Sequence, residues 1–236
     1  MFARGPPIVP RMDTDLALPD EIAVMTLPGA VFFPQALLPL HIFEPRYQAM
    51  LRDVLASHRL FAVAGLNPDA APGRFEPPHR IATVGVVRAC QAGDDGTSNL
   101  LLHGLTRVRL LGIVAEEPYR RVRVRALASE DGAPEEDNLR RRASLARLLV
   151  QRARLGRPTP DEMLSFLRTV EDPGTFADLA AFNLCDDAGF RQKLLETLEV
   201  SERLRLLGAQ LRREIATLRL QRQLQGGLED DEIENN

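Results

Sequence analysis

The histidines are the side chains best suited to acid–base or nucleophilic chemistry in this sequence of 236 residues, and they are His41, His58, His79 and His103. With a serine and a carboxylate nearby, such a residue can form a hydrolytic site. The sequence lacks the G-x-S-x-G turn that presents a nucleophilic serine. Glu44 follows His41 at a spacing that differs from the H-E-x-x-H zinc motif. We therefore expect structural roles for the histidines and no catalytic residue, and keep a small ATP-independent hydrolase as an alternative.

Metal and cofactor sites are not expected either. Cys90 and Cys185 are isolated in the sequence, without the C-x-x-C spacing of a zinc site or a disulfide framework. The sequence contains no G-x-x-x-x-G-K-[ST] phosphate loop. Its one lysine, Lys193, lies in an amphipathic stretch and is expected to face solvent. We predict no metal and no cofactor.

Arginines alternate with valines between Tyr119 and Arg125, as in a strand that has one polar face. In such a strand Arg121 and Arg123 share a face with Arg125, and the valines point inward. Two further arginines, Arg107 and Arg109, are expected to form a second stripe on the neighbouring strand.

Two interpretations of these arginines stay open, because like charges side by side repel unless acids or a ligand lie between them. In the first, Glu116, Glu117 and Glu130 neutralise a solvated face. In the second, the arginines form a cationic patch for an acidic peptide, a phosphate group or RNA. A net charge of −3, no tryptophan and two tyrosines for base stacking argue against nucleic acid.

Phe32 and Phe33 precede Pro34 in a turn-rich stretch and form an apolar cluster. Burial in the core is one interpretation of this cluster. The other is a groove that holds apolar side chains of an unfolded polypeptide, because binding sites are commonly concave and apolar. His41, in the extended segment that follows, is included among the candidate contact residues.

Hydrophobic content of 44% and charged content of 27% are ordinary for a soluble globular protein. The first residues lack the apolar core of a signal peptide, and no stretch approaches the length of a membrane span. The sequence therefore predicts a cytoplasmic protein with no membrane partner.

The periodicity of apolar residues divides the chain into four parts. Residues 1–20 are predicted to be a flexible arm, 21–130 a strand-rich barrel with one early helix, 131–226 a helical bundle, and 227–236 a disordered acidic tail. Within the barrel, residues 99–103 and 106–114 are predicted as separate strands, and 93–96 as a hairpin turn. In the bundle, Thr159 to Glu162 is predicted to form a capping box and Ser201 to cap the last helix. The fold class is α+β.

Several segments in this order resemble the N-terminal, substrate-binding domain of Lon proteases. The opening Met25–Pro34 and the segment Leu37–Tyr47, which ends in Phe-Glu-Pro-Arg-Tyr, match the start of that family. Further matches are Thr83–Val87, Leu102–Arg109 and Leu198–Leu204, so that the resemblance covers roughly residues 21–225.

The resemblance implies a six-stranded pseudo-barrel of the PUA-like type followed by a helical bundle with a long C-terminal helix. It also implies a role in binding unfolded or flexible polypeptides. Because the phosphate loop and the Ser–Lys pair of the full proteases are missing, we expect a free-standing, non-catalytic recognition module that acts as an adaptor in protein quality control. An RNA-binding module of the same fold is the alternative. Leucines along the last helix predict self-association through its far end.

Overall fold

The computed structural model describes residues 18–70, 77–156 and 159–226. The strands are β1 (Glu21–Leu27), β2 (Leu37–Ile42), β3 (Leu60–Gly65), β4 (Ile81–Ala92), β5 (Ser98–Ala115) and β6 (Arg121–Leu127). The helices are α1 (Pro45–Leu55), α2 (Glu135–Arg154), α3 (Asp161–Thr169), α4 (Pro173–Leu184), α5 (Ala188–Glu196) and α6 (Val200–Gly226). Most of the predicted arm 1–20 and all of the predicted tail 227–236 lie outside the described residues.

The strands form one sheet in the order β2-β5-β4-β3-β1-β6, and a further pairing of β5 with β6 closes it into a barrel. β1 and β3 run parallel, whereas the other neighbours run antiparallel. β2 lies outside the closed ring and, among the described strands, pairs only with the first part of β5. The predicted barrel followed by helices is therefore the observed α+β architecture.

β5 is a single strand of 18 residues, so the prediction of two separate strands around Gly104 was wrong. Its first part pairs with β2 and its last part with β6. Gly104 lies where the Phe33 backbone approaches the strand, and a side chain there would collide with the Phe33 carbonyl oxygen. The glycine therefore marks a close backbone contact and no turn.

Only some of the helices begin where the sequence pattern places their first residue. Asp172 caps α4 as its position before Pro173 suggests, because its carboxylate accepts a hydrogen bond from the Thr175 amide at 2.7 Å. The capping box at Thr159 does not form. α3 begins at Asp161 with Pro160 in the cap position, so Thr159 lies one residue too early. α6 begins at Val200, which places Ser201 inside its first turn.

Two apolar cores share the sheet. The barrel interior holds aliphatic side chains, most of them small or β-branched, namely Ile22, Val24, Leu60, Ala62, Ala64, Ala82, Val84, Val108 and Val122. The larger core lies between the outer face of the sheet and the helices, where Phe61 and Leu102 belong to the same cluster as Leu179 and Leu204. The helical bundle therefore packs on the barrel through a continuous apolar interface.

A buried ion network crosses this interface. The Arg107 guanidinium on β5 donates two hydrogen bonds to the Asp178 carboxylate on α4, at 2.8 and 2.7 Å, and its Nε donates to the Leu195 carbonyl of α5 at 2.9 Å. Arg203 on α6 lies 3.3 Å from the same carboxylate and donates to the Thr197 carbonyl. Burial lowers the pKa of Arg203 to about 10, and the Asp178 charge opposes that shift. The network fixes three helices against one strand.

Replacing Asp178 with Asn is expected to lower the free energy of unfolding by about 3–5 kcal/mol, because two buried guanidinium groups lose their counter-charge. The denaturant midpoint measures this change. Glu136→Gln breaks an exposed ion pair with Arg140 and should change stability by less than about 1 kcal/mol. Equal effects of the two substitutions would contradict the role given to the network.

Candidate functional site

Three of the residues considered for binding are inaccessible. The side chains of Phe32 and Phe33 are 1% and 0% exposed and belong to the core between sheet and helices. The Thr83 hydroxyl donates to the Phe32 carbonyl at 2.6 Å, which fixes this turn against β4. Arg107 is buried by the ion network, so its prediction as part of a surface stripe was wrong.

Arg107 and Arg109 project from the same face of β5, because they are two residues apart on one strand. The helices cover that face at Arg107, whereas Arg109 is exposed. The helices therefore cover the outer face of β5 at Arg107 but no longer cover it at Arg109.

Beyond this point β5 and β6 form a two-stranded ribbon, which we define as residues 109–115 and 121–125. Arg121, Arg123 and Arg125 are exposed on one face of β6, as predicted, while Val122 and Val124 pack with the barrel interior. Arg125 lies directly opposite Arg109 in the antiparallel register. The structure thus brings together four of the predicted arginines.

Few carboxylates lie near these arginines. Arg121 and Glu21 are 3.5 Å apart and both exposed. Glu116, which was considered as a neutralising residue, instead pairs with Arg120 at 2.9 Å. Among the described residues, no ion pair joins Arg109, Arg123 or Arg125 to an acidic side chain, so this face keeps an excess of positive charge.

The ribbon also exposes apolar side chains that the sequence patterns did not predict as binding residues. Leu111, Ile113 and Val114 are 56%, 55% and 40% exposed. Irregularities in the β5–β6 register between Leu110 and Gly112, and again between Ile113 and Ala115, break the alternation of the strand. A sequence signal existed, because Leu110, Leu111, Ile113 and Val114, with only Gly112 between them, are more apolar residues than one inward face of a strand can bury.

One edge of the ribbon is open. The pairing of β4 with β5 ends at Ile81 and Arg109, and the Leu110 amide donates to the Arg80 carbonyl at 2.8 Å. After that bond, no described strand other than β6 pairs with β5. Backbone groups of residues 111–115 on this side are available for an added strand.

His41 lies on a different exposed surface, the edge strand β2. Its Nδ1 is 2.9 Å from the Asn99 side-chain oxygen, and its ring stacks on exposed Phe43 with ring centroids 6.0 Å apart. Leu37 and Pro39 are exposed on the same strand face. Proline at a sheet edge discourages a further strand, since it has no amide hydrogen to donate. The ribbon is therefore the better candidate for strand addition.

The other histidines have separate surroundings. His58 Nδ1 accepts from the Leu60 amide at 3.0 Å, and His79 Nδ1 lies 3.9 Å from the Glu196 carboxylate. Burial lowers the pKa of His103, and the nearby Arg88 charge lowers it further.

In the described part of the chain, no group of three His, Cys, Asp or Glu residues is arranged to hold a metal ion. Nor does any described helix have the length and apolar character needed to cross a membrane.

Comparison with known proteins connects this architecture to one family. The model of the ATP-dependent protease La (LON) substrate-binding domain matches residues 21–213. Lon protease 1 of Herpetosiphon aurantiacus is 29% identical over 227 residues, which is 94% of this chain and 28% of that protein. Lon protease of Dictyoglomus thermophilum is 27% identical over 215 residues, or 91% and 27% of the two chains. The chain thus spans about a quarter of the length of these relatives.

Solved structures show the same fold. A Lon N-terminal domain protein from Xanthomonas campestris matches with a TM-score of 0.58 and 22% identity, over 80% of this chain and 97% of that one. The N-terminal domain of the Mycobacterium avium complex Lon protease matches with a TM-score of 0.62 and 20% identity, over 79% and 95%.

Substitutions at a buried apolar residue and at an exposed one should differ in their effect on the free energy of unfolding. Phe33→Ala is expected to lower the free energy of unfolding by about 3–5 kcal/mol, because it leaves a cavity in the core. Ile113→Ala should cost less than about 1 kcal/mol, because most of that side chain already contacts water. Denaturant unfolding of both variants checks this, and a large loss at Ile113 would show that the ribbon is a core element.

Proposed function

The chain belongs to the family of LON substrate-binding domains, and on that premise we propose that it recognises segments of other polypeptides. The family supports a substrate-recognition role. The observation that carries the proposal for this chain is the ribbon, where an open strand edge, exposed apolar side chains and unpaired arginines lie together.

Each of these features contributes a different part of the binding. The open edge of residues 111–115 offers backbone hydrogen bonds to any extended chain, independent of its sequence. Leu111 and Ile113 offer apolar contacts that a folded protein, with its own apolar residues buried, cannot use. Arg109 and Arg125 attract carboxylates and so favour clients with acidic residues near the apolar ones. The client is an unfolded or flexible polypeptide.

In this proposal the chain acts by binding alone, with no bond made or broken. It works in the cytoplasm as an adaptor in protein quality control, holding exposed segments for a separate machine. Binding would be reversible, because a ribbon of this size buries less surface than a stable protein–protein interface requires.

RNA binding is a second candidate, which the exposed arginines on β6 favour. Arginines that follow one strand can contact successive phosphates, and such binding falls steeply with salt concentration. The exposed apolar side chains of the neighbouring strand β5 contribute nothing to phosphate contacts. The two candidates therefore differ in their dependence on Leu111 and Ile113.

Self-association through α6 is also proposed. Leu204, Leu207 and Leu211 are buried against the other helices. Leu220 and Leu224 are exposed near the end of the helix and lie on one face, since they are four residues apart. A second copy of this helix offers the same apolar face in return.

Light scattering after gel filtration tests this self-association. The chain is expected to form a dimer at high micromolar concentration, and Leu220→Ser with Leu224→Ser should shift it to a monomer. Leu139→Ser, at an exposed leucine on α2, is the matched control and should leave the dimer intact. A native chain that is monomeric at every concentration would contradict the proposal.

Client binding is measured by fluorescence anisotropy with a labelled, reduced and carboxymethylated protein that cannot refold. We expect saturable binding that unlabelled unfolded chain displaces. Leu111→Ser with Ile113→Ser should weaken binding about tenfold, or about 1.4 kcal/mol, through lost apolar contact. Leu37→Ser with Phe43→Ser, at similarly exposed positions on β2 and directly after it, should leave the affinity unchanged.

Two results would contradict the proposed function. One is the lack of saturable binding to the unfolded chain at concentrations up to about 100 μM. The other is binding of single-stranded RNA that is lost in Arg121→Gln with Arg123→Gln but is unaffected by the Leu111 and Ile113 substitutions. That second result would establish the RNA-binding candidate instead.

A further inference from the structure

β2 presents an apolar face to solvent on the side of the sheet that is turned away from the helices. Leu38, Leu40 and Ile42 belong to the larger core or pack against it. The residues between them therefore point away from that core. Together with their partners on β5 and with Phe43, whose ring stacks on His41, they form what we define as the β2 face, which consists of Leu37, Pro39, His41, Phe43, Leu101 and His103.

The β2 face is exposed, apolar and unsuited to strand addition. Leu37 and Phe43 are 51% and 61% exposed, and exposed apolar side chains that lie together commonly mark a contact surface. None of the six side chains is a carboxylate, a lysine or an arginine. Pro39 has no amide hydrogen to donate to a further strand. A matching ligand is therefore an uncharged apolar segment that contacts the side chains without joining the sheet.

The described chain begins close to this face. Leu18, its first residue, packs against the barrel-interior cluster, and so does Val86 of β4. Val86 lies in register with His103 of β5, which in turn lies opposite Leu37. Because neighbouring strands are about 4.8 Å apart, the β2 face extends from Val86 over a distance of about 10 Å.

The sequence before Leu18 contains an uncharged apolar segment of the kind that fits. Residues 6–10 read Pro-Pro-Ile-Val-Pro. Prolines preset an extended backbone, so that such a segment loses little conformational entropy when it contacts an aromatic and aliphatic surface. Pro10 precedes Leu18 by eight residues, and a chain of that length spans up to about 26 Å, which is enough to reach the β2 face.

We propose that residues 6–10 dock on the β2 face of their own chain and cover it. The aliphatic side chains and proline rings of the segment replace water over Leu37 and Phe43. A short tether gives the segment an effective concentration of about 1 mM, so that a dissociation constant of about 0.1 mM keeps the face covered about nine-tenths of the time. The segment thereby withdraws this apolar surface from other copies of the chain and from unfolded polypeptides.

This contact is separate from the ribbon and does not depend on the proposed function. The β2 face involves the first part of β5, whereas the ribbon begins at Arg109. A client that binds the ribbon leaves residues 6–10 in place, and a chain that binds no client still has its β2 face covered. Failure of one proposal is therefore distinguishable from failure of the other.

A single tryptophan in the segment tests the contact, because the native sequence has none. In the full chain with Val9→Trp, we expect blue-shifted emission. The acrylamide quenching constant should be at least about threefold below that of a free peptide of residues 1–17 with the same substitution. Adding Leu37→Ser with Phe43→Ser should raise the constant to the peptide value, and the fold stays intact because both positions are exposed. Leu111→Ser with Ile113→Ser, at similarly exposed positions on the ribbon, is the matched control and should leave the protection unchanged.

Protection within one chain should be the same between about 1 and 100 μM protein, because the effective concentration of a tethered segment exceeds both. Protection that appears only at the upper concentration would assign the β2 face to a second copy and overturn the inference. So would quenching equal to that of the free peptide, protection that survives Leu37→Ser with Phe43→Ser, or protection that is lost in the ribbon control. In the native chain, methyl groups of residues 8 and 9 should show nuclear Overhauser contacts with Leu37 or Leu101, and a lack of these contacts would also overturn it.

Discussion

The buried contact of Arg107 with Asp178 and Arg203 is the constraint on which the arrangement of this molecule depends. Charged groups removed from water are tolerated only when their partners are held in good geometry, and here one carboxylate serves two guanidinium groups. The contact joins β5 to α4 and α6, and the Leu195 carbonyl adds α5. The bundle can therefore sit on the outer face of the barrel in one position only. The apolar core around it supplies area but has no comparable directional preference.

The exposed surface of the ribbon follows from that position. The helices cover the first part of β5 as far as Arg107, and the strand continues for eight more residues to Ala115 with β6 as its neighbour. An apolar strand segment without a covering layer is unusual in a monomeric protein and commonly marks an interaction surface. Ile113 and Val114 are exposed where the β5–β6 register is irregular, and the arginines of β6 keep this surface soluble without closing its edge. The same packing that stabilises the fold thus leaves the ribbon uncovered.

Local patterns were enough to predict the division into barrel and bundle, because strand and helix periods differ. The alternation at Arg121, Arg123 and Arg125 likewise gave the correct face of β6. These local patterns could not predict which strand residues are buried by the docked helices. Arg107 and Arg109 have the same strand parity, and only the docked helices make one buried and the other exposed. Phe32 and Phe33 are buried because the turn packs against β5 at Gly104, a contact between distant segments. Asp178 gave no signal, since an acidic residue inside a helix usually faces solvent.

Hydrogen–deuterium exchange on the native chain, with and without a saturating unfolded polypeptide, tests the central claim most directly. If the client adds a strand to the ribbon, its backbone satisfies amides on the open edge of β5, and exchange within residues 111–115 slows while β2 is unaffected. Slower exchange confined to residues 37–42 of β2, or unchanged exchange in the ribbon under saturating client, would contradict the account.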